Sequence, residues 1–393
     1  AMDIEITSTF QIKKKKDCWN QLLQMICILE ENNKMTNSET NDLTRRKFLK
    51  WTAGGLIGAG ALTLGLRPWT GTARGVTVNQ NRPAMGTFVE ITARGEEEAR
   101  LTELIDKAYS KVREVDETMS VFKEDSRVYR LNVDGRTKAN LTPDMVEVLT
   151  EAQEISRITG GSFDMTSGPL LDLWGFYTGS LTVPTEEELS RTLELVDYRG
   201  LEVDSSKGTV RLADPGAAID LGGVAKGYAV DRAIEVLKDG GATAGLVNAG
   251  GDIRGFGSAE GDRAWKVGLQ HPLTDDELLG SLDLILPAVT TSGNYESFFT
   301  YRGDKLSHII DPRDGRPVED TLSVSVLTDR AVAADGLSTG LFSQGPDRAL
   351  EVVAGLDDTE LIYIGKQDGE VRVEVSQGLK GEVSGSRIHR RLS

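Results

Sequence analysis

The sequence has little of what builds metal clusters and disulfide frameworks. Its 393 residues include two cysteines, Cys18 and Cys27, and three histidines, His271, His308 and His389. Two thiols make neither a disulfide-rich scaffold nor a four-thiolate zinc site. Three scattered histidines argue against a three-histidine metal centre. Positive charge is also short: 45 Lys+Arg face 61 Asp+Glu, a formal net charge of −16. That excludes nonspecific duplex binding as a default, since such binding needs a basic face to displace counterions. There is no internal repeat, heptad array or proline-rich linker. What is present is glycine, 43 residues of it, and a 39% hydrophobic content. This is enough to bury a core in one large domain or two ordinary ones.

The charge is unevenly placed. Residues 1–74 carry 11 Lys+Arg and 7 Asp+Glu, so the remainder of the chain stands at −20. Within this leader, Thr44-Arg45-Arg46-Lys47-Phe48-Leu49-Lys50 precedes an apolar, Gly/Ala-rich run at 53–66. A basic region before an apolar stretch of ~7–15 residues has the form of a secretory signal. At 14 residues the run is shorter than the ~20 that a membrane-spanning helix needs. Arg45-Arg46 with Phe48-Leu49 resembles the twin-arginine export motif, whose pathway carries folded proteins. A buried Gly/Ala helix is the alternative, though glycine is costly inside helices. Both cysteines precede the signal, and so does Met35. The expectation is an upstream extension at 1–34 with translation starting at Met35, then a signal peptide at 35–74. A catalytic domain at 75–365 and a C-terminal tail at 366–393 follow. The product would be exported to the periplasm or its equivalent, free of cysteine, and membrane-peripheral at most.

Beyond residue 75 the pattern mixes helices and strands. Residues 96–119 carry Leu101, Leu104, Ile105, Ala108, Val112 and Val115 at helical spacing. Residues 142–159 form a second helix with Met145, Val146, Leu149, Ala152 and Ile155 inward. Further helices are predicted at 186–196 and 223–238. Strands are predicted at 87–93, 246–247, 265–269, 288–291, 297–301, 322–327 and 360–364. Strands and helices do not alternate regularly, which favours α+β over a doubly wound parallel sheet.

Four segments carry chemistry. In Asp220-Leu221-Gly222-Gly223-Val224-Ala225-Lys226-Gly227 a strand ends in an aspartate and passes two glycines into a helix. Glycines there admit a ligand to the backbone, and the helix N-terminus favours an anion that Lys226 can also reach. The bland reading is a tight turn with Asp220 capping the helix. In Asn248-Ala249-Gly250-Gly251-Asp252 the glycines form either a plain turn or a flexible pocket wall. They do not match the dinucleotide fingerprint. Ser292-Gly293-Asn294 is followed by Ser307-His308-Ile309-Ile310-Asp311-Pro312-Arg313-Asp314-Gly315, where two turns adjoin a histidine. His308 is a candidate proton acceptor, or else a structural histidine bonding its own loop. Finally, Asp335 and Thr339 in Asp335-Gly336-Leu337-Ser338-Thr339 share a face if the segment is helical. Carboxylate plus hydroxyl is hard-ligand chemistry suited to Mg²⁺; helix capping by Asp335 is the alternative.

Taken together and in this order, the segments resemble the ApbE family, the FAD:protein FMN transferases. Pro83-Ala84-Met85-Gly86-Thr87 resembles the family's opening strand, and Ser120-Val121-Phe122 through Ser126 and Asn132 its S-x-[YF]…S…N stretch. Gly161-Ser162-Phe163-Asp164, Gly168-Pro169-Leu170 and Leu173-Trp174-Gly175-Phe176 match its G-x-[FL]-D…GPL…LWGF pattern. The resemblance implies a single mixed α/β catalytic domain of the ApbE, T-fold-like type. It also implies an enzyme that cleaves FAD, attaches FMN through a phosphoester to a Thr or Ser of an acceptor protein, and releases AMP with Mg²⁺. By this resemblance Asp335, Thr339 and Gly223 (through its carbonyl) are metal ligands. Met85, Phe122, Ser162, Phe163, Asp164, Asp220, Lys226 and Ile310 line FAD, His308 takes the acceptor proton, and Asp311 supports its loop. Position 122 is often Tyr and position 226 sometimes acidic in relatives. Family acceptors carry a motif close to D-x-[ST]-G-A-[ST], absent here, so the expected partner is another polypeptide, a flavin-bearing subunit of a membrane redox complex. The competing functions are an FAD pyrophosphatase yielding FMN and AMP, and a non-catalytic exported FAD-binding protein.

Overall fold

The computed structural model describes residues 75–380, apart from 134–138, 179–181, 260–262, 275–276, 295–297, 302–303 and 368–369. The predicted upstream extension, the signal peptide and residues 381–393 lie outside the described residues.

Eight strands form one antiparallel sheet in which spatial order follows chain order. They are β1 (Val76–Ala84), β2 (Thr87–Gly95), β3 (Ala244–Ala249), β4 (Asp252–Phe256), β5 (Ala288–Gly293), β6 (Thr321–Thr328), β7 (Glu360–Gln367) and β8 (Glu370–Val375). On β2, Val89, Ile91 and Ala93 are fully buried while the intervening residues are not, as period-two patterning requires. The β2–β3 connection carries most of the helical layer, including α1 (Glu98–Met119), α2 (Pro143–Ile158) and α3 (Ala225–Asp239). Helix α4 (Ala331–Leu341) lies between β6 and β7. This is the α+β architecture that the irregular alternation predicts, with helices inserted between sheet neighbours.

The α1 stripe read from the sequence is buried in full. In α2, Thr142 caps the N-terminus by accepting from the Met145 N–H and Pro143 opens the first turn. There Val148, not Val146, turns inward with Met145, Leu149, Ala152 and Ile155. The main core fills the space between these helices and the sheet. A second apolar cluster, with Val267, Leu269, Leu282 and Leu322, lies under the hairpin formed by Lys266–Gln270 and Leu278–Asp283. The boundary expected at residue 365 falls inside the sheet: β8 pairs with β7, and Val373 and Val375 are buried in the second cluster. The alternating Val371, Val373 and Val375 were the available signal.

The registers bring the β1–β2 turn, the β3–β4 turn and the start of the β5–β6 connection to one end of the sheet. Both turns have two residues at positive φ, Met85 and Gly86 in one, Gly250 and Gly251 in the other. This is the geometry that matches the right-handed twist of a hairpin. The two turns abut, since a Cβ on Gly250 would lie 2.6 Å from Thr87 Oγ1.

Candidate active site

At that end of the sheet α3, α4 and β4 converge on one carboxylate. Asp335 sits in the middle of α4, 3% exposed, and not at a helix start. The capping alternative therefore fails. The start of α4 is held instead by Asp231 of α3, which accepts from the Ala331 and Val332 N–H groups at 2.9 and 3.2 Å and pairs with Arg254 at 2.8 Å. Asp335 Oδ2 accepts from the Gly227 N–H at 3.0 Å, and Oδ1 lies 3.4 Å from Lys226 Nζ. The helices approach this closely because residue 227 has no side chain. A Cβ there would come within 2.2 Å of the Ala331 carbonyl oxygen and 2.9 Å of Asp335 Cβ. Lys226 also pairs with Asp252 Oδ2 at 2.5 Å. Asp252, read from the sequence as a turn residue, is the first residue of β4 and 2% exposed.

One turn along α4, Thr339 stands on the same helix face as Asp335. Ser292, near the end of β5, lies 3.2 Å from Thr339 Oγ1 and 2.9 Å from Ser338 Oγ, so β5 orients this face of the helix. Gly223 completes the group: a Cβ on it would sit 3.2 Å from Thr339 Oγ1 and 3.1 Å from the Phe163 ring. The strand expected before Asp220 is reduced to an isolated bridge between Ala218 and Ser167, and the turn into α3 brings backbone against Thr339 where a larger residue would intrude. Among the described residues no group of three or more His, Cys, Asp and Glu could hold a metal ion. A cation placed here would have one carboxylate with hydroxyl and carbonyl oxygens to draw on, a donor set that suits a hard divalent ion. The approach of the Lys226 ammonium to Asp335 Oδ1 is a direct sign that this oxygen attracts positive charge.

A loop face adjoins this junction. Gly340 lets α4 press against residues 159–163, and Ser162 Oγ donates to the Gly340 carbonyl at 2.7 Å. Asp164 turns its carboxylate into its own loop, accepting from the Thr166 N–H and hydroxyl and from the Tyr198 N–H. Burial pushes its pKa up. The side-chain oxygens of Ser162 and Asp164 thus hold the loop that presents Phe163. Asp220 does not cap α3, whose N-cap residue is Val224. It accepts from the Gly222 N–H at 2.6 Å and from the Tyr177 hydroxyl at 2.7 Å, and burial raises the pKa of both acid groups. Tyr177 in turn meets Phe122 edge-on, with ring centroids 5.8 Å apart. Phe122 is 69% exposed, an aromatic ring offered to the outside.

The third part is the β5–β6 connection. Ile310-Asp311 pairs with Arg316-Pro317, and Gly315 at φ 73° closes the hairpin by donating to the Asp311 carbonyl. The Asp311 carboxylate receives Arg313, whose guanidinium also donates to the Ser343 carbonyl just past α4. Asp311 thus ties its loop to the helix that bears Asp335. Ile310 is buried with Leu170, Trp174 and Leu189, and Trp174 Nε1 donates to the Gly315 carbonyl at 2.8 Å. His308 is half-buried immediately before this hairpin. Met85 lies at the β1–β2 turn beside the Gly250-Gly251 turn that leads into Asp252.

A sequence model of the ApbE family matches residues 85–363. The chain belongs to the ApbE family. Among curated relatives, the FAD:protein FMN transferase of Haemophilus influenzae is 34% identical over 250 residues, covering 61% of this chain and 72% of the relative. That of Escherichia coli K12 is 32% identical over 287 residues, covering 71% and 81%. Among solved structures, the ApbE protein of Thermotoga maritima superposes with a TM-score of 0.72 at 29% identity, covering 79% of this chain and all of that one. The flavin transferase ApbE from Vibrio cholerae gives 0.68 at 29% identity, covering 78% and 99%.

Seen as an ApbE-family site, the junction includes residues to which the sequence reading gave no role. Asp252 had a signal in its glycine cluster, and Ser292 stood in a segment already singled out. Arg254 likewise stood beside the glycine cluster, whereas Tyr177 and Asp231 had no signal, because their partners lie 43 and 100 positions away.

Proposed function

We infer that this protein is an FAD:protein FMN transferase. It joins the FMN moiety of FAD to a Ser or Thr hydroxyl of an acceptor protein and releases AMP. The observation that carries this reading is the junction of Asp335, Thr339 and Gly223 beside Phe163, in a chain whose family match spans that whole region. Asp335, Thr339 and the Gly223 carbonyl are the groups that would hold Mg²⁺. Bound there, the ion offsets negative charge on the pyrophosphate. Lys226 and the start of α3 add a second positive feature for the same anion. Phe122, braced by Tyr177, offers a ring face to a planar heterocycle. In the reaction the acceptor oxygen attacks the FMN-side phosphorus, and the bond from that phosphorus to the bridging oxygen breaks. AMP departs with the bridging oxygen, and His308 takes the hydroxyl proton.

The twin-arginine-like leader supports an extracytoplasmic location. An exported transferase fits an acceptor that is a flavin-bearing subunit of a membrane redox complex. The test is intact-mass analysis of an acceptor bearing a D-x-[ST]-G-A-[ST] motif after incubation with the protein, FAD and MgCl₂. An acceptor gaining one FMN phosphoryl adduct is the expected result. Free FMN and AMP with an unmodified acceptor would assign a pyrophosphatase, and bound FAD without turnover a binding protein.

A further inference from the structure

One ammonium is shared by two buried carboxylates, and the sharing is unequal. Lys226 Nζ lies 2.5 Å from Asp252 Oδ2 and 3.4 Å from Asp335 Oδ1. The side chains of Asp252 and Asp335 are 2% and 4% exposed, that of Lys226 30%. The carboxylates are fixed from different elements, Asp252 at the start of β4 and Asp335 on α4, where it accepts from the Gly227 N–H of α3. The lysine, on a flexible four-carbon stem, is the movable member. One ammonium is divided between two buried carboxylates, and the longer distance makes Asp335 Oδ1 the one it compensates less.

We propose that Lys226 is a tethered competitor of the divalent ion for Asp335, and that Asp252 sets the outcome by drawing the ammonium to itself. This rests on the reading of Asp335 as part of a divalent-cation site. With the ion absent, Lys226 limits the cost of two buried carboxylates. When an ion takes Asp335 Oδ1, Asp252 keeps the ammonium paired, so its charge is neither stranded nor pressed against the ion. The occupied site then has two carboxylates, one ammonium and one divalent ion, a net positive charge suited to a pyrophosphate. Asp252 acts here through Lys226, as a positioning residue.

The test is Mg²⁺ affinity of the metal-free full chain, measured by isothermal titration calorimetry without FAD. Lys226→Gln, which keeps a donor for Asp252 but removes the charge, should bind Mg²⁺ about tenfold more tightly. Asp252→Asn should bind about tenfold more weakly, because the ammonium is then no longer drawn away from Asp335 by the Asp252 charge. The deciding result is the double variant. Once Lys226 is gone, the penalty of Asp252→Asn should shrink to about threefold or less. An equal penalty in both backgrounds would mean that Asp252 acts only through its own charge, and the proposal falls. If Lys226→Gln does not fold, Lys226→Arg replaces it: a guanidinium able to span both carboxylates should weaken Mg²⁺ binding, and unchanged affinity overturns the idea. Native protein that binds no Mg²⁺ removes the divalent site itself, and the proposal with it. Normal native binding with unresponsive variants removes the competition alone.

Discussion

The two sides of the site are built on different physics. The helix-borne side, with Asp335, Thr339, Lys226 and Gly223, is held by the packing of α3, α4 and β4. Its carboxylates are almost fully buried, and its distances depend on the absence of a Cβ at residue 227. The loop-borne side, with His308, Asp311, Phe122 and Tyr177, is held by turns, by the Arg313 and Trp174 hydrogen bonds and by a small cluster around Leu170. The first resembles a core with charges in it and transmits strain. The second is a set of local contacts in which one replacement has local consequences. A transferase needs both: a fixed place for the pyrophosphate, and a face open enough to admit an acceptor polypeptide.

The contrast breaks first at Asp335. Asp335→Ala is expected to reduce FMN transfer to background while the protein stays folded by circular dichroism. Asp335→Asn, which keeps an acceptor for the Gly227 N–H, should be as inactive. Activity within a few-fold of native in either variant would remove Asp335 from the site. Next is Gly227→Ala, where the added methyl meets the Ala331 carbonyl and Asp335 Cβ. A stability loss of about 3 kcal/mol in denaturant unfolding is expected, where an exposed helical Gly→Ala would instead gain up to about 1 kcal/mol. A neutral or stabilised variant would show that α3 and α4 can separate freely.

On the loop side the effects are local. His308→Ala should slow single-turnover transfer by about 100-fold and leave FAD affinity, read by flavin fluorescence quenching, nearly unchanged. Collapse of affinity with the rate would make His308 a wall of the pocket and not a proton acceptor. The smallest effect belongs to Asp164, whose pKa burial raises above the ordinary 3.8. In that window the native state binds more protons than the unfolded chain, so its contribution to stability falls as pH rises through it. Asp164→Asn should flatten that part of the stability curve, measured by urea unfolding from pH 4 upward. A curve of unchanged slope would place the titration elsewhere.

Legibility followed the range of the interactions. The α1 stripe, the Thr142-Pro143 start of α2 and the alternation of β2 are local patterns, and each appears where its residues predict it. The fold class followed from the irregular order of elements. Asp335 and Thr339 were visible as an i, i+4 pair. Whether they served as cap or as site residues depended on where α4 begins, and Asp231 decides that from 100 positions away. A separation of 43 positions likewise hid Tyr177 as the partner of Asp220. The C-terminal boundary erred because β8, an edge strand, alternates its valines with the charged Arg372 and Glu374 and so carries a weaker apolar signal than a central strand such as β6.

By itself the sequence determined the α1 and α2 helices, the alternation of β2, and that a glycine-rich turn, a histidine loop and an acid–hydroxyl pair lie in family order. Only the tertiary structure decided that Lys226 stands between Asp252 and Asp335, that Ser162 gives its hydroxyl to the Gly340 carbonyl of α4, and that Asp164 holds Thr166 and the Tyr198 N–H. Periodicity reports the face a residue occupies, because it follows from backbone geometry alone. It is silent on the partner across that face, because that depends on how closely two elements pack, and at Gly227 on the absence of a single carbon atom.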